Sequence, residues 1–317
     1  MKKCLESLIP QARKYNIPIY VSDNASTDNT TEMLDHFKKN YPYLYSKTNS
    51  KNMGVDKNMV SAVHMASSRY VWALGARRII LPGVVDKIYN ILNQNTLDLL
   101  ILNDLNPTFS APKSDTYSSA HDIFRELNRN LTGLGFQILP LEAWKTEVAE
   151  KYAETDWTVF GVALEYIANK NNLNAFFLSE PIATASGESK WIPRTFQIWT
   201  SWKKVINSLP YFYSDAEKEC VIQKSVNYFF GGRGFNLIDR RAQGIYNSKI
   251  FEAYREDLVH YGKLSPTFAY VVSKFPTLPL KLYGRLYAAL RTIARIFIHQ
   301  NAALNPNTRR AKRITYA

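Results

Sequence analysis

The sequence predicts an α/β fold in which helices flank a mostly parallel sheet, and three observations lead to that prediction. Short apolar runs alternate with helical patterns through the first hundred residues. Strand, helix and strand follow one another at the spacing of a doubly wound sheet. The composition, with 46% hydrophobic and 21% charged residues, is that of a globular chain.

The individual elements follow from these patterns. Apolar runs predict strands over residues 17–22, 43–48, 70–74, 97–103, 131–139 and 175–184. Helices are predicted over 30–40 and 56–68, because apolar residues in the second stretch recur every three to four positions. From Thr195 onward the chain is predicted to be helical and rich in aromatic residues. The 317 residues suffice for one large domain and an appended segment.

Cysteine content and hydropathy exclude several classes of protein. Cys4 and Cys220 are too few for a disulfide framework or a cysteine zinc site, which is typical of a reducing cytosol. No uncharged apolar run approaches the roughly 18 residues that a spanning helix needs. We therefore expect neither a membrane span nor a cleaved secretion signal.

The net charge of +13 is concentrated at the end of the chain. From Leu258 onward there are ten Lys or Arg residues and no Asp or Glu, whereas the preceding part holds 30 basic and 27 acidic residues. As a helix, residues 280–299 would gather apolar side chains on one face and cations on the other. Residues 280–313 are therefore predicted to contact an anionic membrane. The alternative is a surface helix packed on the protein body, and the separated faces argue against nucleic-acid binding.

The segment VSDNASTDNT, residues 21–30, places polar side chains directly after a predicted strand. Open α/β sheets bind ligands at the carboxyl ends of their strands. Asp23, with Asn24 and Ser26 beside it, is therefore a candidate to accept hydrogen bonds from a nucleotide. The alternative is that Asp23 and Ser26 only shape the turn and that Asp28 or Thr30 caps the following helix.

Two further motifs follow the first one along the chain, in a recognisable order. NMGVDKN, residues 52–58, opens a predicted helix, and YVWALG, residues 70–75, precedes IILPG, residues 79–83. Together with the first segment they resemble family 2 glycosyltransferases of the GT-A fold, nearest to bacterial O-antigen and capsule enzymes of the abequosyltransferase-like type. The resemblance covers residues 1 to about 105 and weakens toward about 185.

The resemblance implies a GT-A-like domain over residues 1–195, followed by a helical segment, 196–275, and the basic tail, 276–317. It also implies a nucleotide-sugar donor. In such enzymes the carboxylate that matches Asp23 contacts the nucleotide base. Asn52, Gly54 and Lys57 match the region that lines the nucleotide pocket.

The acidic metal motif of the family is missing. A divalent cation, Mg²⁺ or Mn²⁺, is usual in these enzymes, but the matching positions are Ala76, Arg77 and Arg78. Hard cations need oxygen ligands. Three interpretations stay open: the two guanidinium groups bind the diphosphate in place of a metal, the site has lost catalysis, or both arginines point into solvent.

The start of the chain also departs from the family. Residues 1–9 have the pattern of the family's first helix, with Leu5, Leu8 and Ile9 on one face, and the hydrophobic strand that normally precedes it is absent. We expect either a start site that was assigned too late or a truncated product. Neighbouring strands would then expose unpaired backbone.

A catalytic base is expected from the family near the start of a helix in the second half of the domain. Asp156 is the candidate, and Glu154 is the reserve, because both precede the helical run over 159–169. The alternative is that Asp156 is an N-cap. Trp157 and Trp191 are candidates to stack on a sugar, or else core residues.

These expectations combine into one predicted function. The chain would transfer a sugar from a nucleotide donor to a hydroxyl of a glycan or lipid-linked acceptor in surface polysaccharide synthesis, at the cytoplasmic face of the membrane. The alternative is an inactive relative that binds nucleotide or glycan as a membrane-associated partner.

Overall fold

The structure is a computed structural model that describes residues 1–103, 112–185, 192–229 and 235–279. The chain forms two compact units, Met1–Gln223 and Lys224–Ala317. The predicted segments divide the chain at residues 195 and 275 instead, and their functional division stays a prediction. The basic tail from residue 280 onward lies outside the described residues.

The first unit alternates helices and strands. Its helices are α1 (Lys2–Ala12), α2 (Thr30–Asn40), α3 (Val55–Val63), α4 (Val84–Gln94), α5 (Ala120–Glu126), α6 (Thr146–Tyr152), α7 (Thr158–Ala168) and α8 (Thr195–Asn207). Its strands are β1 (Ile19–Asp23), β2 (Leu44–Thr48), β3 (Tyr70–Trp72), β4 (Arg78–Ile80), β5 (Leu99–Asn103), β6 (Asp115–Tyr117), β7 (Gln137–Pro140), β8 (Ala175–Pro181) and β9 (Ala183–Ala185).

The remaining helices follow one another with no strand between them in the described residues. They are α9 (Asp215–Phe229), α10 (Phe235–Ala242), α11 (Ser248–His260) and α12 (Pro266–Lys274). In the second unit the buried Tyr246 hydroxyl donates to the backbone carbonyl of Ala269 at 2.9 Å, which ties α12 to the turn before α11. None of the described helices is both long and apolar enough to cross a membrane.

The strands form three sheets, and their directions correct one detail of the prediction. A five-stranded sheet has the order β3-β7-β5-β8-β6, and the pairs β1-β2 and β4-β9 stand beside it. Of the pairings in the described residues, only β1-β2 and β5-β8 are parallel, and the other four are antiparallel. The expectation of a mostly parallel sheet is therefore wrong. Apolar runs show which segments are buried but carry no information on strand direction.

A second correction concerns residues 131–139, which were predicted to be one strand. Only Gln137–Pro140 is a strand, and the residues before it form a turn in which Gly135 has a φ of 96°. The indole Nε1 of Trp72 donates to the Gly135 carbonyl at 2.9 Å. Positive φ favours glycine, so this apolar but glycine-containing stretch turns instead of extending.

Helix α1 begins the described structure, as its apolar pattern predicted. Leu5, Ile9 and Ala12 are buried against a cluster that includes Leu34 and Leu44. Among the described residues, β1 pairs with β2 alone and β3 pairs with β7 alone. The second edge of each strand therefore has no strand beside it within the described part of the chain.

Helix α7 packs directly against α6 through a glycine. A Cβ atom at Gly161 would overlap the Tyr152 ring, which is fully buried and donates its hydroxyl to Glu165. Since that ring cannot move away without breaking its hydrogen bond, we expect Gly161→Ala to lower the free energy of unfolding by about 1–3 kcal/mol. Urea unfolding followed by circular dichroism measures this, and an unchanged midpoint would contradict the packing.

Candidate functional site

The carboxyl end of β1 carries a buried carboxylate. Asp23 is 1% exposed, and its side chain accepts hydrogen bonds from the Ser26 hydroxyl and from the Ser26 backbone N–H at 3.3 Å. Ala25 between them has a φ of 59°, so the chain turns sharply there. An ionised carboxylate has about four lone-pair sites, so Asp23 can accept further hydrogen bonds from a ligand.

Asn24 joins two of the predicted segments. Its amide nitrogen donates to Asn52 Oδ1 at 2.7 Å and to the Gly54 carbonyl at 3.2 Å, and its amide oxygen accepts from Met53 N–H at 2.8 Å. Gly54 has a φ of 84°, which favours glycine. The turn after β1 and the loop before α3 therefore form one clamped surface.

Asn58, Ser22 and Asn49 form a network of hydrogen bonds that the sequence did not predict. Asn58 Nδ2 donates to the Ser22 carbonyl at 2.9 Å, and Asn58 Oδ1 accepts from the Ser22 hydroxyl at 2.8 Å and from Asn49 Nδ2 at 2.7 Å. This arrangement fixes α3 against the end of β1. Asn58 belongs to the NMGVDKN segment, but its spacing alone gives no indication of these contacts.

The turn Glu154–Asp156 lies against the start of α3. The Lys57 ammonium donates to the Glu154 carboxylate, and both side chains are exposed. This hydrogen bond raises the pKa of Lys57 and lowers the pKa of Glu154. The segment predicted to line the nucleotide pocket and the segment predicted to hold the base are therefore adjacent.

Asp56 forms a hydrogen bond with the same turn. Its Oδ2 accepts from the Asp156 backbone N–H at 2.9 Å. Burial raises the pKa of Asp56, and hydrogen bonds from the Thr158 hydroxyl and from backbone N–H groups oppose that shift. Glu154 and Asp156 have φ values of 74° and 64°, which L-residues seldom adopt. The contact with Asp56 thus stabilises a strained turn.

The side chain of Asp156 forms a bidentate pair with Arg194. The two guanidinium nitrogens of Arg194 donate to Asp156 Oδ1 and Oδ2 at 3.0 and 2.7 Å. The interpretation of Asp156 as an N-cap is wrong, because α7 begins at Thr158 and its N-cap, Trp157, makes no side-chain capping bond. Arg194 was missed, since nothing in the sequence links it to a carboxylate 38 residues earlier.

The two arginines of the altered metal motif differ in their surroundings. Arg77 is exposed, whereas Arg78 is half-buried in β4. The Arg78 guanidinium lies 4.1 Å from the centroid of the Phe136 ring, and its Nε donates to the Leu134 carbonyl at 3.2 Å. The interpretation that both arginines point into solvent is therefore wrong for Arg78.

The structure describes one of the two tryptophans that were candidates to stack on a sugar. Trp157 is 1% exposed and packs on Trp202 with 4.8 Å between the ring centroids. It is therefore a core residue and cannot stack on a sugar in this arrangement. Trp191 lies outside the described residues.

The chemistry of the donor groups does not fit a divalent cation at the position that the family uses. Arg77 and Arg78 stand there, and a guanidinium repels a cation. No three carboxylate, imidazole or thiol side chains meet anywhere in residues 1–103, 112–185, 192–229 or 235–279. Positive charge beside the Glu154–Asp156 turn comes instead from Lys57 and Arg194.

Comparisons with known proteins show what this chain is similar to. Residues 1–133 match the model of glycosyl transferase family 2. Abequosyltransferase RfbV from Salmonella typhimurium is 43% identical over 82 residues, which cover 24% of this chain and 24% of that protein. The aligned part is thus about a quarter of the length of this curated relative.

Solved structures show the same fold. The S. aureus protein TarS, residues 1–349 in complex with UDP, gives a TM-score of 0.54 at 16% identity over 86% of this chain and 87% of that one. Its complex with UDP-GlcNAc gives 0.51 at 15% identity over the same shares. The predicted α/β GT-A fold is therefore confirmed.

Proposed function

Since residues 1–133 match the model of glycosyl transferase family 2, we propose that the chain transfers a sugar from a nucleotide donor to a hydroxyl of a glycan or lipid-linked acceptor. One observation carries the proposal. The turn after β1, the start of α3 and the turn Glu154–Asp156 are far apart in sequence but are joined by the contacts of Asn24, Lys57 and Asp56. The groups proposed to bind the base (Asp23), to bind the diphosphate (Lys57) and to accept the proton (Asp156) would therefore share one surface.

The donor would lie along this surface. Asp23 and the Ser26 hydroxyl oxygen would accept hydrogen bonds from the base, while Asn52 and Gly54 would line the pocket. Lys57, Arg77 and Arg194 would bind the diphosphate, since guanidinium and ammonium groups form charge-assisted hydrogen bonds with phosphate oxygens. Arg78 supports the turn that contains Leu134 and adds positive potential behind Arg77.

Asp156 would act as the general base. As the acceptor oxygen attacks the anomeric carbon, the bond from that carbon to the diphosphate breaks, and the hydroxyl proton passes to the Asp156 carboxylate. In this structure its pair with Arg194 occupies both carboxylate oxygens of Asp156. The donor diphosphate competes for the guanidinium of Arg194, so donor binding would free the carboxylate for the acceptor.

Two features support a lipid-linked acceptor in O-antigen or capsule synthesis. The relative RfbV is named as an abequosyltransferase, and the acid-free basic tail, residues 280–313, suits contact with an anionic membrane. Together they favour a protein held at the inner face of the cell membrane, where a lipid-linked acceptor would be within reach.

A panel of UDP-, GDP-, CDP- and dTDP-sugars tests the proposal. We expect one donor to release its nucleoside diphosphate, and we expect that release to persist in the presence of a chelator. The competing function, a non-catalytic partner, predicts binding by calorimetry without release from any donor. Release that needs added Mg²⁺ or Mn²⁺ would contradict the part assigned to the arginines.

Asn24 offers a test of the clamped surface. Asn24→Ala removes three hydrogen bonds to the loop before α3, and each is worth about 0.5–1.5 kcal/mol. We expect the KM for the donor to rise about tenfold or more, with a smaller change in kcat. Asn95→Ala is a matched control, since within the described residues the Asn95 side chain donates to the Ile91 carbonyl at the end of α4 and makes no other hydrogen bond. Equal KM values for the two variants would show that the clamp has no part in donor binding.

A further inference from the structure

Helix α12 has one buried and one exposed apolar side. Ala269 and Val272 are buried in the second unit. On the other side, Phe268, Val271 and Phe275 are 37%, 51% and 44% exposed. The helix therefore has apolar side chains on two sides. One side packs into the core of the unit, and the other is exposed.

The exposed residues form a continuous stripe. Phe268 and Val271 are three positions apart and lie on one face of α12, and Phe275, the C-cap of the helix, follows four positions later. Leu278, shortly after the end of the helix, is 68% exposed. Exposed apolar residues are normal when they stand singly, but an aligned group of large ones marks a contact surface. These four residues are called the α12 outer face.

The charges of the chain from Leu258 onward indicate what this face contacts. Lys263 precedes the helix and Lys274 ends it, and no Asp or Glu occurs from Leu258 to the end of the chain. The sequence that follows, residues 280–317, contains the other eight Lys and Arg residues of this stretch. Protein surfaces ordinarily mix both signs of charge, whereas apolar and basic residues without acids suit the headgroup layer of an anionic bilayer.

We propose that the α12 outer face inserts into the headgroup layer of an anionic membrane. Only the role of this membrane contact, which is to hold the active site near a lipid-linked acceptor, rests on the proposed function. It adds a membrane contact within the folded second unit to the one expected of the basic tail. The apolar side chains supply hydrophobic burial, and Lys263, Lys274 and the tail supply attraction to anionic lipid.

Flotation of the full-length chain with lipid vesicles tests this. The vesicles contain phosphatidylcholine with phosphatidylglycerol, and vesicles of phosphatidylcholine alone serve as the uncharged comparison. We expect Phe268→Gln/Val271→Gln to weaken binding to the anionic vesicles by about ten- to a hundredfold, because two apolar side chains no longer leave water. Val259→Gln is the matched control, since Val259 on α11 is also 37% exposed but lies outside the α12 outer face. It should bind like the unchanged chain.

Three outcomes would overturn the proposal. The unchanged chain could fail to float with anionic vesicles, or the double variant could bind as well as the control. The double variant could also lose thermal stability while keeping its vesicle binding, which would show that another part of this chain covers the face. Release of nucleoside diphosphate without vesicles is measured separately, so failure of membrane binding is distinguishable from failure of the proposed activity.

Discussion

Replacing Asp156 by asparagine should lower sugar transfer by about 10²- to 10⁴-fold, the usual contribution of a positioned general base. The amide keeps the shape of the side chain but cannot take the acceptor proton. The fall should lie in kcat, with little change in the KM for the donor. Initial rates of nucleoside diphosphate release in the presence of acceptor measure it.

Glu154→Gln is the matched comparison for that experiment. Glu154 is two residues away and also has a positive φ, but its carboxylate is exposed and paired with Lys57. We expect a modest rise in the KM for the donor, because Lys57 loses its partner, and a much smaller effect on kcat than in the Asp156 variant. The reverse order of effects would assign the base to Glu154, the reserve candidate.

Arg77→Ala should lower kcat by about 10²- to 10³-fold, as removal of one group that stabilises developing anionic charge commonly does. The reason is that the leaving diphosphate gains negative charge as its bond to the sugar breaks. The same rates should be measured with and without a chelator. The unchanged chain should tolerate the chelator, since the arginines perform the electrostatic role in the proposed mechanism.

Arg69→Ala controls for the loss of one positive charge. Arg69 precedes β3 and contacts Thr96 and the Tyr70 ring, away from the proposed diphosphate site. Arg78→Ala is less suitable, because it also removes the contacts with Phe136 and Leu134 and so affects stability. Equal rates for the Arg69 and Arg77 variants, or turnover that disappears with the chelator, would rule out the arginine mechanism.

Local patterns in the sequence predicted the elements of the domain well where side-chain periodicity was sufficient. Helix α2 has the predicted bounds, Thr30–Asn40, and β1 and β2 differ from prediction by only one or two residues at their ends. Strand direction was not predictable, because a buried strand has the same apolar pattern in either orientation. The turn before β7 was missed because its hydrophobic residues resemble a strand, although Gly133 and Gly135 interrupt them.

The candidate site was predictable in part. The family resemblance directed attention to Asn24, Asn52 and Lys57, and the structure places their segments in contact. The roles of Asp56 and Arg194 had no such indication. Each contacts Asp156, but the first lies 100 and the second 38 residues from it, so no local spacing records either contact.

The left-handed backbone at Glu154 and Asp156 limits how this carboxylate pair could be moved to another protein. Such a conformation costs about 1–3 kcal/mol at each residue, and here a buried acid from a different helix compensates for part of it. If only the loop were transplanted, its sequence would be kept, but Glu154 and Asp156 would lose the left-handed backbone conformation. A transplanted segment would therefore also have to include Asp56 and the first turn of α3, which carries it.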